Sequence, residues 1–212
     1  VRANDPEVSA VRRVSVAAGE TFTLDDAVFA DFKVGTGSAV LAAGPLATLN
    51  APGLLQALDR YPYGCTEQVT SRAMPLLYFD EVAEAMGLSA RQTVQTRVDQ
   101  AIAQVLTRQS SNGAFGMWRP DSGEFWLDAY VSDFLSRAKA QGYEVPALAF
   151  RIAMDNLRNR INYVADFDEG GEDIAYSLMV LAREGAASMG DLRYYADQKS
   201  EAFSTLGLAH LG

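Results

Sequence analysis

From Ser89 to Leu211 apolar residues recur every three or four positions in successive runs, and glycine or proline interrupts the chain between several of them. Such a chain has to pair helix against helix, because each amphipathic stripe needs a partner to cover it. The clearest stripe is Val94, Val98, Ala101, Ile102 and Val105, which predicts a helix from Ser89 to about Gln109. Trp126, Tyr130, Phe134 and Ala138 repeat the spacing over Phe125–Gln141, and Gly142 ends that run. Pro146 suits the first turn of the next helix, which carries Phe150, Ala153, Leu157 and Ile161 inward. Further helices are expected over Ile174–Glu184, Asp191–Lys199 and Phe203–Leu211. Upstream, Asn50 and Pro52 open a helix to about Arg60, and a second extends from Thr66 to Met86 with Pro75 as a kink. About eight helices in successive antiparallel hairpins make a mainly α fold.

Residues 1–49 read differently. Val11, Val14 and Val16, then Val28 to Val34, then Ala39 to Ala42 after Gly35-Thr36-Gly37, carry strand signals. Strands this short cannot close a sheet alone, so 1–49 is expected to be the β-strand tail of a preceding domain, with 50–212 a separate helical domain. Two loops invite functional readings. In Ser110–Trp118 the plainer expectation is that Phe115 and Trp118 plug the end of a hairpin while the glycines let the chain turn. Asp166–Asp173 is acidic, but without the alternating acids of a calcium loop it reads as solvated.

Eighteen Lys+Arg against 27 Asp+Glu leave a net charge of −9, which disfavours nucleic acid and anionic membrane surfaces as partners. One cysteine excludes an intrachain disulfide. No apolar run reaches membrane-spanning length, and Val1-Arg2-Ala3-Asn4-Asp5 is not a signal peptide. The expectation is a piece of a longer protein, with any export signal or anchor outside it.

The lone cysteine lies in Tyr61-Pro62-Tyr63-Gly64-Cys65-Thr66-Glu67-Gln68, where a loop becomes a helix. An isolated cysteine is more often a small buried hydrophobe than a reactive group. Its neighbours change that. Cys65 and Gln68 are spaced to meet on one face of a first helical turn. Attack of the thiolate on the Gln68 amide carbon, with loss of ammonia, would close a thioester ring of roughly fifteen atoms through trans peptides. A helix N-terminus favours the thiolate and offers N–H groups to an acyl oxygen. Gly64 removes a Cβ at the bend, Tyr61 and Tyr63 offer apolar faces against water, and Glu67 is a first-turn acid.

Pro62-Tyr63-Gly64-Cys65-Thr66-Glu67-Gln68 resembles the Gly-Cys-x-Glu-Gln thioester motif of the alpha-2-macroglobulin and complement family. Trp126–Leu135 and Gln141–Pro146 are similar to the thioester domain of its bacterial members. The resemblance implies an incomplete α/α toroid of helical hairpins, and a covalent protease trap used once rather than a turnover enzyme. In it Gln68 supplies the acyl carbon and Cys65 leaves. It implies no metal or cofactor. It also implies other domains of the same full-length protein as partners, target proteases captured through lysine amines, and a periplasmic parent, often lipid-anchored. Glu169–Leu181 contains no histidine, which within the family points to amine acceptors.

Two other readings stand beside it: a cysteine hydrolase pairing Cys65 with His210, and a helical interaction module with an inert Cys65. Against the hydrolase, no Asn follows His210. An open toroid exposes apolar faces, so self-association is expected in analytical ultracentrifugation; a clean monomer at high concentration would contradict it.

Overall fold

The structure is a computed structural model that describes residues 8–37, 39, 41, 63–78, 91–164 and 171–212. The chain divides into two units, Val1–Gly53 and Leu54–Gly212. Within the first, the described residues form a single 3₁₀ turn, Asp26–Phe29, capped by the Asp25 carboxylate, which accepts from Ala27 N at 3.1 Å. None of them is in a strand. The strand expectation for Val11–Val16 and Val28–Val34 is therefore corrected. Val8, Val11, Val14, Val16 and Val34 are exposed, and a lone extended segment without a ladder partner or a covered face has nothing to hold it as a strand.

The second unit is helical. Its described α-helices are α1 (Thr66–Ala73), α2 (Arg91–Leu106), α3 (Phe125–Ala140), α4 (Ala147–Tyr163), α5 (Glu172–Arg183), α6 (Met189–Gln198) and α7 (Thr205–Leu211). Helix α1 packs on α2 and α3, α3 on α4 and α5, α4 on α5, and both α5 and α6 on α7. The short loop between α3 and α4 forces them antiparallel, as the hairpin plan requires. Gly142 makes that turn possible: at φ +89° it lets Tyr143 N–H reach back to Ala138 O at 3.0 Å. Of the long helix expected over Thr66–Met86, residues 79–86 lie outside the described residues. Pro75 lacks the N–H to continue α1, which passes into a 3₁₀ turn, Met74–Tyr78. The expected helix over 50–60 and the acidic residues 166–170 lie outside the described residues, whereas Glu172 and Asp173 form the first turn of α5.

Helix α3 is the centre of this unit. Ten of its sixteen residues are buried, among them Leu127, Phe134 and Leu135. A helix surrounded in this way needs polar groups that are satisfied or absent. Asp128, fully buried, accepts from Phe115 N at 2.6 Å and Asn156 Nδ2 at 2.9 Å, and pairs with Arg160 Nε at 2.9 Å. Burial pushes its carboxyl above the usual range, while these donors pull the other way. Through them α3 grips α4 and the 107–124 loop.

The loop lies where it does because three glycines let backbones touch. A Cβ on Gly113 would sit 2.0 Å from Ile152 O, on Gly116 1.9 Å from Arg119 O, and on Gly123 1.9 Å from Phe115 O. Phe115 is fully buried and does plug the core. Trp118 does not: it is 64% exposed, carried outward by the turn beyond Gly116.

Asp133, also on α3, accepts from Arg137 Nε at 2.8 Å and Tyr176 Oη at 2.9 Å and pairs with Arg183, which fastens α3 to α5. Asp133→Ala would leave these donors facing one another, so we expect a loss of about 3 kcal/mol in urea unfolding. An unchanged midpoint would show that the cluster is only solvated surface.

Candidate functional site

The site is the N-terminus of α1. Cys65 is the N-cap residue, extended at φ −66° and ψ 165°, and its side chain makes no cap bond. A thiol is a poor substitute for the oxygen that normally takes a first-turn amide. The opening turn is instead held from outside. Thr66 N–H donates to Met117 O at 2.9 Å, and the Thr66 hydroxyl donates to Gly116 O at 2.6 Å. Arg108, just beyond the end of α2, completes the knot. Its guanidinium donates to Gly64 O at 2.6 Å, Thr66 Oγ1 at 3.2 Å and Met117 O at 3.5 Å. The residues on either side of Cys65 are thus fixed by one buried cation.

Inside this frame Cys65 is 6% exposed. Gln68 occupies N3, the position from which a capping-box side chain reaches back to the N-cap amide. It does not do so: Gln68 Oε1 is buried and accepts no hydrogen bond. An amide oxygen without a donor forfeits about 1–3 kcal/mol, and such orphans in a native fold mark strain or function. Polarisation of this oxygen by helix amides is not seen, and Thr66 N–H is taken by Met117 O.

Between Cys65 and Gln68 in sequence, Glu67 turns one carboxylate oxygen toward the sulfur, with Oε2 4.0 Å from Cys65 Sγ. Its other oxygen, Oε1, accepts from Ser71 Oγ at 2.7 Å, and Ser71 Oγ lies 3.0 Å from Tyr130 Oη on α3. Tyr130 stacks on Trp126 with ring centroids 5.0 Å apart. Burial is the main force raising the Tyr130 phenol above its ordinary pKa; the Ser71 bond opposes it, and the Glu67 and Asp133 charges add to it.

Cys65, Glu67 and Gln68 lie at the opening of α1, Cys65 as its N-cap. Other expectations need correction. Gly64 is not at a left-handed bend, and a Cβ there would meet only Gln104 Nε2 at 3.7 Å; what matters locally is its carbonyl. Tyr63 is 60% exposed rather than folded over the sulfur, and Tyr61 lies outside the described residues. His210 stacks on Tyr176 at 4.8 Å, and its Nδ1 is buried without a partner. The imidazole and the thiol make no hydrogen bond. Among the described residues no three metal-ligating side chains gather.

Arg108, Ser71 and Tyr130 were not found from sequence. Ser71 had a usable signal, its i,i+4 relation to Glu67; Arg108 and Tyr130 reach the site only through tertiary packing. Arg108→Met is expected to lower stability by about 1–3 kcal/mol and to speed labelling of the buried Cys65 by an aromatic disulfide reagent. Wild-type labelling kinetics would contradict its role in fixing the turn.

Residues 39–169 match the family model described as the A-macroglobulin TED domain. Over 209 residues the chain is 34% identical to alpha-2-macroglobulin of Escherichia coli strain K12, an alignment covering 92% of this chain and 12% of that protein. The crystal structure of native E. coli alpha-2-macroglobulin from domain MG7 to the C-terminus superposes with a TM-score of 0.66 at 32% identity, covering 76% of this chain and 27% of that one. The structure of Salmonella alpha-2-macroglobulin reacted with methylamine gives 0.65 at 33% identity, over 74% and 11% of the two chains. The chain thus spans a small part of the length of the proteins it matches.

Proposed function

Because this chain belongs to the alpha-2-macroglobulin thioester-domain family, we propose that Cys65 and Gln68 join in an internal thioester that acylates an attacking amine. The observation that carries this is the pairing, on one helical turn, of a buried thiol with a glutamine whose buried amide oxygen has no donor. The sulfur attacks Gln68 Cδ, the amide nitrogen leaves as ammonia, and an acyl–sulfur bond remains. An incoming amine attacks the same carbon, and Cys65 leaves as the thiol.

The surroundings favour storage over leakage. A thioester carbonyl is a weaker acceptor than an amide carbonyl, so a pocket without a donor penalises the amide more. Attack by any nucleophile would place negative charge on that same oxygen, and no donor among the described residues meets it, so the bond opens slowly in this state. The acyl group is spent in the reaction, which makes this a single-use device and not a catalyst.

In the longer protein, residues 50–212 would be the thioester domain and residues 1–49 the tail of the domain before it. The acyl acceptors would be lysine amines of a protease, and the parent would be periplasmic, anchored if at all through segments outside this chain. The reaction of the Salmonella relative with methylamine supports an amine as acceptor.

Intact mass spectrometry with thiol titration tests the ring. The expected result is a mass about 17 Da below that of the sequence with no free thiol, then release of one thiol and a gain of about 31 Da on adding methylamine. Cys65→Ala and Gln68→Ala should each abolish both changes. A full-mass protein with a free thiol, or methylamine-dependent thiol release that survives Gln68→Ala, would overturn the proposal.

A further inference from the structure

Forming and opening the ring both require a proton to move at the sulfur. A thiol attacks an amide poorly until it loses its proton, and an amide nitrogen leaves only once it has gained one. One well-placed acid–base group can serve both ends. The chain has a single histidine, and it stacks on Tyr176.

We propose that the Glu67 carboxylate is the acid–base group of the Cys65–Gln68 exchange, held toward the sulfur by Ser71 and Tyr130. This rests on the thioester proposed above and adds the residue that moves its proton.

Oε2 is within reach of S–H donation at 4.0 Å, a loose contact of the kind that tightens as a reaction proceeds. The carboxylate is not free to swing away, because Oε1 is held by Ser71 at 2.7 Å. The Ser71 hydroxyl has one proton and spends it on Glu67, so the 3.0 Å contact with Tyr130 has to be donated by the phenol. Stacking on Trp126 restrains the Tyr130 ring. Burial keeps its proton in place, so the donation persists across the working pH range. An acid serving only the helix dipole would need no such support; here a residue one turn on and a residue from α3 both act to aim it.

In ring formation Glu67 takes the proton from Cys65 as sulfur bonds to Gln68 Cδ. It then returns that proton to the nitrogen, which departs as ammonia. In acyl transfer Glu67 takes a proton from the attacking amine and delivers it to Cys65 as the carbon–sulfur bond breaks. Each direction leaves Glu67 as it began, and no other reactant is consumed. Ser71 and Tyr130 touch neither reacting atom and are positioning residues.

The test compares wild type with Glu67→Gln, Ser71→Ala and Tyr130→Phe in the whole 212-residue chain. Ring formation is followed by mass, and thiol release by methylamine is followed against pH. Glu67→Gln should slow both by about 100-fold and flatten the pH profile, Glu67→Asp should recover part of the rate, and the two positioning variants should cost about 5-fold each. Wild-type rates in Glu67→Gln would overturn the assignment and leave the thioester intact.

A second measurement does not need the ring. In Gln68→Ala the single cysteine gives one S–H stretching band in the infrared, and adding Glu67→Gln should move it to higher frequency. Coincident bands would overturn the contact. If wild type forms no ring, the thioester proposal fails on its own, and the S–H band still decides whether Glu67 holds the thiol proton.

Discussion

A helix that begins with cysteine lacks the side-chain oxygen that would cap it, and this fold holds its start from outside by bringing another piece of chain against Thr66. Thr66, Gly116, Met117 and Arg108 form that closure. The closure depends on the core: Asp128 fixes Phe115 N–H, Phe115 fills the centre, and the next two residues then present their carbonyls to Thr66. A buried carboxylate on α3 and the direction of a thiol on α1 are thus two ends of one chain of contacts. The links from Asp128 to Thr66 run through Phe115 and Gly116, both buried, and end beside Cys65.

Much of this could be read in advance, and the exceptions have physical causes. The stripe Val94, Val98, Ala101, Ile102 and Val105 is one-sided because α2 has one buried face, and all five residues are in the core. On α3 the stripe Trp126, Tyr130, Phe134 and Ala138 is buried at Phe134 and Ala138 but leaves Trp126 39% exposed, while Asp128, Ser132 and Asp133 are buried. Periodicity assumes a single wet face, and a helix covered by several neighbours has polar residues inside wherever a partner satisfies them. The glycines of the 110–123 loop were legible as turn formers. That Gly113 permits a carbonyl contact was not, since the Ile152 carbonyl comes from α4. For the site, Cys65, Glu67 and Gln68 sit on one turn and were visible together. Arg108, from beyond α2, and Tyr130, from α3, were not.

The environment separates two demands that usually conflict. On the proposed chemistry, reactivity calls for a proton acceptor near sulfur, which is where Glu67 Oε2 lies, whereas longevity calls for an acyl oxygen without a donor, which is how Gln68 Oε1 is found. Placing the polar group beside the nucleophile and withholding it from the electrophile lets one turn of helix serve both. The turn lies within the residues that match the A-macroglobulin TED domain; on the proposed chemistry, the arrangement of donors is a reason for it not to discharge at once.

The stacked pair Trp126 and Tyr130 joins the outer surface of α3 to the chain of hydroxyls ending at Glu67. Trp118, the other tryptophan, stands in the loop whose carbonyls close the α1 terminus. The chain therefore carries two built-in fluorophores near the start of α1, one stacked on a tyrosine and one facing solvent. Their emission offers an optical record of the packing around that terminus.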